Sequence, residues 1–85
     1  MHRLLEALTA DLAAWAPQLK AEEWLSLARR LILQLESRAG RAEHRLADGT
    51  SLSWLFDQRS GQLLSTYPDG AVRIRIVANP GRGCP

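Results

Sequence analysis

The side chains able to do chemistry in this chain are few and scattered. The histidines are His2 and His44, and the one cysteine is Cys84. A structural zinc site needs four converging thiolate or imidazole ligands, so this set does not build one within a single chain. Glu22 and Glu23 are adjacent, which on a helix sets them about 100 degrees apart. Acid–base work needs carboxylates that share a cleft. Two acids in a first helical turn instead complement the positive end of the helix. Thr50, Ser51 and Ser53 surround Leu52 and Trp54 with no base beside them. Gly49, Gly61 and Gly70 stand singly in turns and do not form a phosphate-cradling loop. The expectation is no catalytic residue, no metal ligand, no cofactor and no enzymatic activity.

Arginine is the other chemistry-bearing type. Lys and Arg total eleven against nine acids, for a formal charge of +2, and Lys20 is the one lysine. That balance is too weak to announce a nucleic-acid protein. Arg73 and Arg75 share one face of a strand, and Arg59 falls in a hairpin loop. Such a sheet face could carry phosphates, so a nucleic-acid-binding regulator using Arg59, Arg73 and Arg75 is the alternative reading. Single-strand recognition adds exposed aromatics as stacking platforms, and Tyr67 is the one candidate.

The elements that must position these residues are set by two helical periods and a change of period. In 21–39, Trp24, Leu25, Leu27, Ala28, Leu31, Ile32 and Leu35 fall within an arc of about 160 degrees. That is wide enough to touch both a second helix and a sheet. Leu33 lies at about 180 degrees, in the polar face near Arg29. Leu25 sits at the edge of the arc, and Leu55 on the outward side of its strand. Leucines surplus to the core of so small a chain suggest a contact surface. The candidate partner-binding residues are therefore Leu25, Arg29, Leu33 and Leu55. In the first helix Leu4, Leu5, Leu8, Leu12 and Trp15 lie within about 100 degrees. Pro17 separates the two helices, because its ring forbids an interior position. Gly40 is placed to cap the second helix.

After Gly40 the period becomes 2. Leu52, Trp54 and Phe56 alternate with Ser51, Ser53 and Leu55, as do Val72, Ile74 and Ile76 with Arg73 and Arg75. Both sets are expected to face the core. Turns are expected at Asp48-Gly49, at 57–61 and at Pro68-Asp69-Gly70. A three-residue loop at Pro68–Gly70 would put Leu64 and Thr66 inward with Val72 and Ile74, and a two-residue loop Leu63, Ser65 and Tyr67, because one residue of slip exchanges the faces. The three-residue loop is favoured, since Pro suits the second turn position and Gly the fourth.

The fold class expected is α+β: an N-terminal antiparallel two-helix hairpin packed on a C-terminal three- to four-stranded antiparallel β-meander. One domain spans 1–78, with helices about 3–16 and 19–39 and strands about 43–47, 50–56, 62–67 and 71–77. A flexible tail follows at 79–85. With 46% hydrophobic and 24% charged residues over 85 positions, this is an ordinary globular composition. The core of so short a chain is small, and oligomerisation would supplement it. The lone cysteine fits a reducing compartment, and acids among the leucines of the first helix exclude a signal peptide or membrane span there. The expectation is a cytoplasmic, non-catalytic protein–protein interaction module: an adaptor, accessory subunit or inhibitor, binding a protein partner or itself as a homodimer through the wide face of the second helix.

Overall fold

A computed structural model describes residues 3–77; His2, Cys84 and the expected tail lie outside the described residues. Two helices, α1 (Arg3–Trp15) and α2 (Ala21–Ser37), precede four strands, β1 (Arg41–Arg45), β2 (Ser51–Asp57), β3 (Gln62–Thr66) and β4 (Val72–Ile76). The strands form one antiparallel sheet in the order β1-β2-β3-β4. The α+β meander is therefore as expected.

Ala16 ends α1, with its N–H still donating to Leu12 and Pro17 following. The Trp24 indole Nε1–H donates to the Ala16 carbonyl at 2.9 Å, pinning the start of α2 to the end of α1. Lys20 opens α2 in an extended conformation, and its N–H donates to Glu23 Oε1 at 2.8 Å. The wide arc of α2 is consumed unevenly. Ala28, Leu31 and Leu35 are buried, while Trp24, Leu27 and Ile32 pack at the margin of the core. They meet Leu4, Ala7, Leu8 and Leu12 of α1 and Leu52, Trp54 and Leu63 of the sheet in a single cluster.

The end of α2 runs straight into the sheet. Ala39 adopts φ 56, and the Gly40 N–H closes back on the Leu35 carbonyl at 2.8 Å, the bonding of a Schellman motif. Gly40 is thus one residue beyond the left-handed cap residue, and it too has a positive φ of 89. Its carbonyl accepts the Phe56 N–H at 2.7 Å, so pairing with β2 begins at the cap itself. For that reason β1 covers Arg41–Arg45 rather than 43–47. An alanine in the left-handed region costs about 1–2 kcal/mol, of which glycine would recover part after its own entropy cost. Ala39→Gly is expected to raise stability by about 0.5–1 kcal/mol, read as a higher urea midpoint at unchanged slope.

The expected faces of the second half need correcting. The three-residue loop Pro68–Gly70 is present, with Tyr67 N–H donating to Ala71 and Asp69 Oδ1 accepting the Ala71 N–H. It does place Thr66 opposite Val72 and Leu64 opposite Ile74. But that shared face points outward. The loop between β2 and β3 decides it: Asp57 pairs with Gln62 and Leu55 with Leu64, so Leu64 joins the outer residues of β2. The inward face carries Leu63, Ser65 and Tyr67, then Arg73 and Arg75. Val72, Ile74 and Ile76 are 55%, 61% and 53% exposed. The apolar alternation of β4 is real, and it faces away from the core.

Candidate interaction surface

What turns β4 inside out is a buried carboxylate. Asp11 is 3% exposed, on the core side of α1. Its Oδ2 accepts from Trp54 Nε1 at 2.9 Å, Ser65 Oγ at 2.8 Å and Arg75 Nη2 at 2.6 Å. Its Oδ1 accepts from the Tyr67 hydroxyl at 2.7 Å. Arg75 Nη2 also donates to Ser65 Oγ at 3.0 Å, so that hydroxyl both receives and gives. The Trp15 and Tyr67 rings stack over this cluster at 5.7 Å between centroids. Burial, followed by the hydrogen bond to Asp11, pushes the Tyr67 phenol above its ordinary pKa.

A buried ion is tolerated only when paired and hydrogen-bonded. Asp11 therefore requires a cation beneath α1, and Arg75 supplies it from β4. The strand must turn its arginine face inward to do so. Alternation then sends Val72, Ile74 and Ile76 to the other side. Three donors crowd Asp11 Oδ2 and leave it no open direction toward a substrate; the cluster holds α1 on three successive strand segments. Composition patterning missed it, although one signal was present. On the wheel Asp11 lies within about 20 degrees of Leu4, among the apolar residues of α1.

The outer face of the sheet is the surface this arrangement creates. One cross-strand row runs Arg41, Leu55, Leu64, Ile74 through all four strands. Val72 and Ile76 flank Ile74 on β4, while Ser53 and Thr66 lie in the next row. A shallow groove over β1–β3 is lined by Arg38, Arg41, Ser53, Leu55, Leu64 and Thr66. Single exposed apolar residues are ordinary; a contiguous exposed group marks a contact site.

The structure does not gather the sequence-derived candidates on one surface. Leu55 stands on this outer face, opposite the side that carries the helices. Leu25 lines a groove between α1 and α2 with Leu5, Ala10, Ala13 and Trp24. Arg29 and Leu33 are exposed on α2, Leu33 at 62%. Of the arginines, Arg73 is exposed on the inner side of β4, Arg59 is exposed in the β2–β3 loop, and Arg75 is held by Asp11. Leu64, Val72, Ile74 and Ile76 are the surface residues that sequence reasoning assigned to the core.

Elsewhere the chemistry is sparse. His44 lies half-buried on the inner side of β1, and burial, then the nearby Arg30 charge, lowers its pKa. Among the described residues there is no group of three or more His, Cys, Asp or Glu placed to hold a metal, and no helix is long and apolar enough to cross a membrane. Compared with known protein families, curated proteins and solved structures, the chain finds no match in any of the three.

Proposed function

We propose that this protein is a small, non-catalytic protein–protein interaction module of a reducing, cytoplasmic compartment: an adaptor, accessory subunit or inhibitor. The observation that carries the reading is the outward apolar face of the sheet, where Leu55, Val72, Ile74 and Ile76 are all exposed beside Leu64. A slip of one position on β4 would have turned Val72, Ile74 and Ile76 inward; instead Arg73 and Arg75 take the inner side, Arg75 against Asp11. Self-association through Leu25, Arg29 and Leu33 on α2 is the second surface this reading admits.

Both surfaces are tested together. Parent, Leu55→Glu and Leu33→Glu proteins are compared by light scattering and by affinity capture from a lysate of the source cells. Each variant replaces an exposed side chain, so the far-UV spectrum should be unchanged. The expected result is loss of self-association or of captured protein in Leu55→Glu; the same loss in Leu33→Glu instead would move the interface to α2. Identical behaviour of all three proteins ends the reading. The nucleic-acid alternative is left with two of its three cations, since Arg75 is engaged by Asp11. Absorbance at 260 nm that co-elutes and is removed by salt would favour it.

A further inference from the structure

The sheet has two edges, and they are treated differently. At β1 the outward residues are Arg41, Glu43 and Arg45, and the Glu43 N–H is capped by Gln34 Oε1 at 3.1 Å. Charge and a side-chain cap are recognised means of blunting an edge. At β4 the outward side chains, Val72, Ile74 and Ile76, carry no charge, and the strand's charges, Arg73 and Arg75, lie on the inner face. Tyr67 with Ala71 and Gly61 with Val77 are bonded pairs, N–H to carbonyl, at 2.8 Å each. Alternation between them gives the β3-directed bonds to Arg73 and Arg75. The N–H and C=O groups of Val72, Ile74 and Ile76 therefore point away from β3, and among the described residues no strand lies there. The residues with open backbone groups are the same three β-branched residues whose side chains are exposed on the outer face.

We propose that the open edge of β4 takes up, by strand addition, an extended segment of a partner protein in which apolar residues alternate with acidic ones. This rests on the interaction-module reading and names the class of partner. Strand addition takes its affinity from backbone bonds and its specificity from alternate side chains. An added strand paired at Ile74 sets apolar residues beside Val72, Ile74 and Ile76. The intervening residues then fall opposite Arg73 and Arg75 on the inner face, where the exposed Arg73 guanidinium selects a carboxylate. The same geometry disfavours a second copy of this chain. The antiparallel β4–β4 register that engages all three open residues, centred on Ile74, puts Arg73 of each copy across from Arg75 of the other, and directly opposed like charges destabilise.

The test uses the full chain and two short, blocked, fluorescent peptides, one alternating isoleucine with glutamate and its twin alternating isoleucine with lysine. The glutamate peptide is expected to bind about tenfold more tightly at physiological salt, since one or two cross-strand pairs change from repulsive to attractive. Amide exchange at Val72, Ile74 and Ile76 should slow on binding, with Glu43 on the other edge unaffected. Arg73→Glu should reverse the preference between the peptides. Ile74→Pro removes one outward N–H while sparing the bonds to β3, a substitution edge strands accept, and should weaken the glutamate peptide about tenfold. Equal binding of the two peptides, or protection confined to the β1 edge, overturns the proposal. So does a dimer that already protects the three β4 amides and is not displaced by peptide. Should the peptides fail while Leu55→Glu still abolishes partner binding, the edge inference falls and the interaction-module reading stands.

Discussion

Asp11→Ala is expected to destabilise the protein by about 3–5 kcal/mol, the cost of removing one partner from a buried ion pair. The loss has two sources. The Arg75 guanidinium stays beneath α1 without a counter-ion, its Nε already lacking a hydrogen-bond partner among the described residues. Trp54 Nε1, Ser65 Oγ and the Tyr67 hydroxyl also lose the acceptor they share. Native domains hold only about 5–15 kcal/mol in reserve, and an 85-residue chain belongs near the lower end. Much of the variant should therefore be unfolded in dilute buffer, as judged by urea titration of tryptophan fluorescence. Replacing both ions with apolar residues, Asp11→Leu with Arg75→Met, should recover the part of the loss due to the unpaired charge, but not the part due to the donors of Trp54, Ser65 and Tyr67, which still lack their acceptor. The coupling energy of that cycle measures the pair. A loss below about 1 kcal/mol in Asp11→Ala, the range of an exposed ion pair, would mean that the cluster is not the keystone of the fold.

Gly40→Ala should cost about 2–4 kcal/mol, from two separable causes. Its φ of 89 lies where a side chain costs about 1–2 kcal/mol. Beyond that, a Cβ on Gly40 would collide with the carbonyl oxygen of Phe56. Neither backbone can retreat, because the Gly40 carbonyl accepts the Phe56 N–H and the Gly40 N–H closes the helix on Leu35. Gly70 is the internal control. Its φ is 90, yet a Cβ there meets nothing, so Gly70→Ala should show the conformational cost alone. The difference between the two variants in thermal or urea unfolding isolates the collision. Equal losses would refute it.

Much of the architecture is legible from the chain. The helices follow from the 3.6 period of their leucines and from Pro17. The meander follows from the change to period 2 and from three turn signals, of which Pro68-Asp69-Gly70 gave its loop length correctly. The faces of β3 and β4 were not legible, and the reason is physical. Alternation says which residues share a face and is silent on which face is buried. The usual assumption puts valine and isoleucine inside. Here one electrostatic contact from a distant helix outweighs it: a buried carboxylate needs a cation, whereas exposed β-branched residues cost comparatively little. Asp11 among the leucines of α1 was the only local sign, and its meaning depends on Arg75, 64 residues further along. The candidate surface was hidden for the same reason, since Leu64, Val72, Ile74 and Ile76 had already been assigned to the interior.

That separation also bears on how the chain reaches its native state. Asp11 is synthesised 64 residues before Arg75. Until β4 arrives, the two helices and first three strands would enclose an anion with no counter-charge, a species more costly than the open chain. The hairpin and the partial meander are therefore expected to have no stable resting point of their own, so that unfolding followed by tryptophan fluorescence and by far-UV signal should coincide in one cooperative transition. β4, the last of the four described strands in chain order, is the one that licenses the rest.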